Sequence, residues 1–323
     1  MRAFSRFAWG VLAYNLAVVA WGAFVRATGS GAGCGKHWPT CNGAVVPRAP
    51  ALETAIEFSH RLTSGIALLA VLALAVWAFR AFARGHAVRR AAVASVALMI
   101  AEALVGAGLV LYGWVARDTS AARPWVMAIH LTNTFLLLGA LTLTAWWSRR
   151  PAGLAARPPG ALRPLLAAAF AAMILAGITG AIAALGDTLF PATSFAEGLR
   201  QELSPNASLL LRLRVLHPVA AVAAAALLVV TARAALTGRP GDPAVRGAGI
   251  AVMTLAAVQL LAGAVNLALL APVWMQLVHL ALADLAWIAL VVLAAASFAP
   301  EAALEKERPG ARPGLAATAS RAG

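Results

Sequence analysis

Charge is scarce in this chain, above all negative charge: Asp and Glu together number 12 in 323 residues, and charged residues of both signs make up only 12%. With 62% hydrophobic residues, that balance excludes a water-soluble domain of this length. Short alternating segments are missing as well. The apolar runs are long, continuous and rich in Ala, Leu and Val, which excludes a membrane β-barrel and makes each run a helix that satisfies its own backbone. The formal charge is +14, yet no single block of Lys or Arg exists, which argues against a nucleic-acid partner. No small-residue cleavage site ends the first apolar run, which at roughly 19 residues is too long for a signal-peptide core and is expected to stay in the mature protein. No Arg/Ser-rich transit segment precedes it, which points to a bacterial inner membrane. Cysteine occurs twice only, at Cys34 and Cys41, in the stretch TGSGAGCGKHWPTCNG.

What is present is a set of eight runs of membrane-crossing length, roughly 7–26, 56–79, 91–113, 125–147, 164–186, 209–232, 247–269 and 274–297. The expectation is an all-α integral membrane protein. With the N-terminus inside, seventeen of the 26 Lys and Arg residues, from Arg2 and Arg6 to Arg312 and Arg321, fall on the inner side. The positive-inside rule then puts both termini in the cytoplasm. The Pro- and Arg-rich stretch SRRPAGLAARPPGALR divides the spans four and four. The expected units are a bundle at 1–150, a cytoplasmic linker at 151–163, a second bundle at 164–298 and a disordered cytoplasmic tail at 299–323.

The two halves repeat. EALVGAGLVLYG from Glu102 leads through Pro124 and Trp125 to His130, and QLLAGAVNLALL from Gln259 leads through Pro272 and Trp274 to His279. FSHRLTSGIALLAV places His60 where RVLHPVAAVAAAALL places His217. Two pseudo-symmetric four-helix bundles in parallel orientation follow. Each carries two intramembrane histidines at similar depth, and an intramembrane imidazole is costly unless it has a partner. Zinc normally takes a third protein ligand, and none accompanies His217 at helical spacing. Two facing imidazoles suffice for a haem iron, whose porphyrin fills an apolar bundle interior. Arg61 and Arg214, with Arg26 and Arg212, lie at outer helix ends, where they serve either as partners for haem propionates or as snorkelling interfacial arginines.

The halves also differ. Glu57 sits one turn outward from His60 on the same helix face, and its counterpart is Arg214. A carboxylate beside a porphyrin edge acts as a base or stabilises developing positive charge. Glu102, near the middle of span 3, corresponds to the neutral Gln259. It either tunes the first site or hydrogen-bonds as a neutral acid. Chemistry therefore belongs to the first half, and the second reads as a plain haem holder.

These residues resemble the heme A synthases. The resemblance rests on GAFVRATGSGAGCGKHWPTCNG from Gly22, IEFSHRLTSG from Ile56, and the repeated G-A-x-x-x-L then H-L pattern ending at His130 and His279, and it covers all eight spans. It implies oxidation of a ring methyl of haem O to the formyl of haem A, in two successive steps through a hydroxymethyl. It implies an oxidoreductase acting on a methyl group, within cytochrome oxidase assembly. His60 and His130 would hold the substrate haem iron, His217 and His279 the iron of a resident haem b, and Glu57 would be catalytic. Haem O synthase and terminal oxidase assembly are the implied partners, and self-association is compatible with the pattern. The family usually has glutamine where this chain has Glu102. The second outer loop, DTLFPATSFAEGLRQELSPNAS, lacks the cysteine pair some members carry, which excludes a disulfide there.

The topology puts Cys34 and Cys41 on the outer, oxidising side, where a disulfide persists. No C-x-x-C-H motif is present, which excludes covalent haem attachment. The pair reads either as a structural staple over the first pocket or as a reversible thiol-disulfide couple. Two other functions compete. A dihaem b-type electron carrier explains the four histidines but not Glu57 or the cysteine loop. A transporter on parallel repeats needs more polar groups at midmembrane than Glu102, Gln259, Asn266 and Asp284.

Overall fold

The computed structural model describes residues 1–149 and 161–299. The expected tail, apart from Ala299, and most of the expected linker lie outside the described residues. Within them the chain forms helices α1 (Arg2–Ala27), α2 (Leu52–Ala81), α3 (Ala87–Leu111), α4 (Ala122–Trp147) and α5 (Leu162–Leu189). These are followed by α6 (Phe195–Leu203), α7 (Leu209–Arg214), α8 (Leu216–Gly238), α9 (Pro243–Ala268) and α10 (Val273–Ser297). Eight helical spans are long and apolar enough to cross a membrane, with α7 and α8 supplying one between them. The all-α, eight-span expectation is met.

The sixth span is not the single helix that its continuous apolar run predicts. It breaks at Val215, between α7 and α8. Pro218 has no N–H to give to the carbonyl of Arg214, so the ladder loses a rung there. The break falls immediately before His217. Elsewhere the helix ends follow local chemistry: Asp242 caps α9 by accepting from Ala244 N–H (2.8 Å) and Val245 N–H (3.3 Å), with Pro243 in the first turn. Gly113 leaves α3 at φ 75°, a left-handed conformation that costs glycine little.

Helices α1 to α4 close a ring in which α1 packs on α2, α2 on α3, α3 on α4 and α4 on α1. Helices α5, α8, α9 and α10 close a second ring in the same manner. The rings meet along α4 and α10, which also touch α5 and α1 respectively. At this seam Phe135 stacks on Trp287 with centroids 4.9 Å apart, and the edge of Phe170 meets the same indole at 5.2 Å. Gly139 lets α4 approach it, since a Cβ there would sit 3.4 Å from Trp287 Nε1. In lipid, where burial of apolar surface gives little drive, such close van der Waals packing between small and flat side chains is what holds helices together.

A polar tie joins the rings at the end where the Cys34 loop lies, called the loop end below. Arg26 on α1 donates to the carbonyl of Ala184 and the hydroxyl of Thr188 on α5, and to Oε1 of Gln276 on α10, each at 2.8 Å. Gln276 in turn donates to the Ala271 carbonyl at 2.7 Å. The guanidinium is thus committed to the second half of its own chain.

Candidate functional site

In the second half, His217 on α8 and His279 on α10 face each other with ring centroids 6.1 Å apart and planes at 84°. Metal–imidazole bonds of about 2.0–2.1 Å on either side of one ion place the two ring centroids roughly 6 Å apart, so the separation fits a metal held between two imidazoles. Glycines back both rings. A Cβ on Gly180 would lie 3.0 Å from Cε1 of His217, and one on Gly263 would lie 3.1 Å from Cε1 of His279. Nδ1 of His217 lies 3.3 Å from the hydroxyl of Thr179, while Nδ1 of His279 has no hydrogen-bond partner among the described residues. The donor set, two imidazoles in an apolar ring of helices, fits a bis-histidine haem.

The first half follows the same plan up to a point. His60 on α2 lies against Gly22 of α1, where a Cβ would come within 2.9 Å of Cε1. Gly106, the counterpart of Gly263, has nothing within 4 Å, so the ring of His130 is turned away from it. Nδ1 of His130 instead lies 3.2 Å from Oε1 of Glu102. That carboxylate also takes Asn133 Nδ2 on Oε2 and the Thr134 hydroxyl on Oε1, each at 2.5 Å.

Glu57 is buried, 3% exposed, at the loop end of α2. Oε2 accepts the backbone N–H of Cys34 at 2.8 Å, and Oε1 pairs with Arg61 one turn further along the helix at 2.5 Å. Arg61 then donates through Nη1 to the carbonyls of His37 and Thr40, both at 2.7 Å. Charge-assisted bonds of this kind are roughly twice as strong as neutral ones. One carboxylate and one guanidinium therefore pin both arms of the cysteine loop above His60.

The loop itself is closed by a Cys34–Cys41 disulfide, with both residues buried, and by an antiparallel bridge between Cys41 and Ala44. Because the sulfurs are bonded to each other, neither is available as a metal ligand. Gly33 docks the loop on the first turn of α2: a Cβ there would lie 2.5 Å from the Glu53 backbone, and its carbonyl accepts from Thr54 Oγ1 at 2.7 Å. The loop also reaches the α3–α4 connection, where Lys36 lies over Gly113.

At the position matching Glu57, Arg214 pairs with Glu202 on α6 through Nε (2.6 Å) and with Asp187 on α5 through Nη1 (2.9 Å). Nη2 of Arg214 makes no hydrogen bond among the described residues. Arg212 is spent on the carbonyls of Ala207 and Pro205. Asp284 is buried at 2% exposed, with no partner for Oδ1 among the described residues.

Reading the sequence alone missed the residues that surround the four histidines and Glu102: Gly22, Gly180, Gly263, Thr179, Asn133 and Thr134. The repeat carried a signal for several. Aligning His130 with His279 sets Asn133 and Thr134 against Leu282 and Ala283, so two polar side chains appear in one half only.

Residues 5–291 match the family model of the cytochrome oxidase assembly proteins, COX15-CtaA. A protein of Thermus thermophilus named protoheme IX farnesyltransferase is 50% identical over 273 residues, which is 84% of this chain and 45% of that relative. Over 128 residues, 40% of each chain, the heme A synthase of Alkalihalophilus pseudofirmus is 39% identical and that of Shouchella clausii 40%. The chain thus spans less than half the length of these curated relatives. With a family match running over nearly all of its described spans, the chain belongs to the COX15-CtaA cytochrome oxidase assembly family, the family of the heme A synthases.

Proposed function

We propose that this protein oxidises the ring methyl of haem O to the formyl group of haem A. In this reading His60 and His130 hold the substrate iron in the first bundle. His217 and His279 hold a resident haem b in the second, which when bound supplies one-electron redox chemistry. The observation that carries the reading is the placement of Glu57. A buried carboxylate is fastened one turn from His60, beneath a disulfide loop, and the matching position in the other bundle is Arg214. An electron carrier with two equivalent haems has no use for that difference.

The reaction passes two electrons from the methyl carbon to an external electron acceptor, adds a water oxygen and releases two protons to give the hydroxymethyl; the same exchange repeated gives a hydrated aldehyde, which loses water to become the formyl. Each oxidation leaves electron-poor carbon and releases protons. Glu57 is held next to that chemistry by Arg61 and the Cys34 N–H, in position to stabilise the positive charge or accept a proton. In the second bundle Arg214 keeps Nη2 for the anionic edge of a bound haem, while Arg61 serves the first in the same sense through its remaining donor.

The eight spans make this a multi-pass membrane protein. We place it in a bacterial inner membrane with the cysteine loop outside, because the Lys and Arg excess lies at the opposite end. A haem O synthase is the proposed supplier of substrate. The Thermus relative bears the name of a farnesyl transferase to protohaem IX on a chain more than twice the length of the matched segment, which supports that proposal. Haem extracted from protein made with a haem O supply tests the reading by chromatography and mass. Haem b together with haem O, its hydroxylated form or haem A is expected. Haem b alone would move the protein to the dihaem carrier class.

A further inference from the structure

We propose that Glu102 is a positioning residue of the first-half site: its carboxylate, in contact with Nδ1 of His130, is placed to accept that N–H when a haem is bound, which leaves Nε2 for the substrate iron and makes this imidazole a stronger electron donor than either ligand of the second half. The inference rests on reading His130 as a ligand of that iron.

Three observations carry it. The first is proximity: Oε1 lies 3.2 Å from Nδ1, a nitrogen that makes no aligned hydrogen bond among the described residues. The second is that the surroundings are built for an anion. Asn133 uses one amide hydrogen on the Leu98 carbonyl at 2.9 Å and the other on Oε2, and the Thr134 hydroxyl meets Oε1. A carboxylate at midmembrane depth costs several kcal/mol unless donors of this kind surround it. The third is that the second half lacks the whole arrangement. Gln259, Leu282 and Ala283 stand where Glu102, Asn133 and Thr134 stand, so no carboxylate and no donor pair sits at the matching positions around His279. The amide of Gln259 lies instead 3.3 Å from Nε2 of His279. Carboxylate and donors appear together in one bundle and are absent together from the other.

A histidine that donates Nδ1–H to a carboxylate has its tautomer set and its basicity raised, and a more basic axial ligand favours the ferric over the ferrous iron. The chain's own asymmetry therefore biases the substrate site toward the oxidised state relative to the resident site.

The test is an optical redox titration of both haems in the full-length protein, made with a haem O supply, as wild type, Glu102→Gln and Thr134→Val. Loss of the carboxylate in Glu102→Gln is expected to shift the first-site potential positive and leave the second-site potential unchanged. Thr134→Val removes a donor that competes for the carboxylate, so the first-site potential is expected to shift negative. Opposite shifts confined to one site are not what general damage to the bundle produces. A wild-type first-site potential in Glu102→Gln would overturn the proposal while leaving the ligand assignment intact. If Glu102→Gln does not retain the first haem, an unmoved potential in Thr134→Val overturns it instead. A wild-type protein that takes up no second haem at all would sink the ligand reading together with this inference.

Discussion

Over His60 the chain lays a loop that is covalently closed and docked by a carboxylate; over the second bundle it lays a short helix docked by a guanidinium. The loop is held by Cys34–Cys41, by Gly33 against α2, and by the Glu57–Arg61 pair. Helix α6 is held by Glu202 on Arg214 and begins with a cap in which Ser194 accepts the Glu197 N–H and Glu197 accepts the Thr193 N–H. The helix plan beneath is the same, and the charge at matched positions is reversed. Under the proposed function the bundle that keeps its haem needs only a cover, and the bundle that changes its haem needs a carboxylate close by; Glu57 is anchored by the same contacts that close the loop.

The largest effect that distinguishes the halves is expected from Glu57→Gln. Haem A formation should fall by about 100-fold or more, the range for loss of an acid-base or charge-stabilising group. Arg214→Gln should leave turnover within a few fold, because it loosens α6 and Asp187 and takes a cation from the second bundle without touching the first. Pigment analysis of membranes producing each variant compares them directly. Equal losses in the two would break the comparison.

Next in size are the glycines behind the histidines. Gly22→Ala, Gly180→Ala and Gly263→Ala each push a Cβ within about 3 Å of an imidazole, a clash that shifts the ring and should lower haem occupancy in the affected bundle. Gly106→Ala meets open space and should keep wild-type occupancy. A matching loss in Gly106→Ala would mean that His130 is not turned toward Glu102.

Smaller again are the covers themselves, which should fail under different conditions. Reduction, or Cys34→Ser with Cys41→Ser, removes a cross-link that typically stabilises by about 2–4 kcal/mol. Hydrogen exchange should rise at 28–51 and stay unchanged at 195–203. Acid should do the reverse. The Thr193 hydroxyl and backbone N–H hold the Glu197 carboxyl below the usual glutamate range. A carboxyl lowered by folding contributes stability that is present above its unfolded pKa and is lost as pH falls through the folded value. Exchange at the start of α6 should therefore rise on acidification below the ordinary glutamate range, by a modest factor because the group is exposed, and the disulfide loop should not follow.

Much of this was legible in sequence because lipid imposes simple rules. A hydrophobic run of spanning length reads as a helix, and the repeat of histidines at one depth in alternate spans nominated two candidate sites. The closed Cys34–Cys41 loop agrees with the geometry, and the ring centroids of His217 and His279 lie 6.1 Å apart. What hydropathy does not encode is direction within a helix and contact across the chain. The break at Val215 is invisible to a hydropathy window, although Pro218 marked it. Glu57 could be placed on the face of His60, but its bond to the Cys34 N–H joins residues in different elements. Arg26 read as an outer cation, whereas it ties the two halves together. Glu102 was left open between two roles until Asn133 and Thr134 stood beside it.

The division of labour between the bundles is tested most directly by removing one ligand pair at a time and identifying the haem that remains. His60→Ala with His130→Ala should yield protein that holds haem b and has lost haem O and haem A. His217→Ala with His279→Ala should lose haem b and still take up haem O. Recovery of the same pigment mixture from both double variants would contradict the assignment of substrate and resident haem to separate halves.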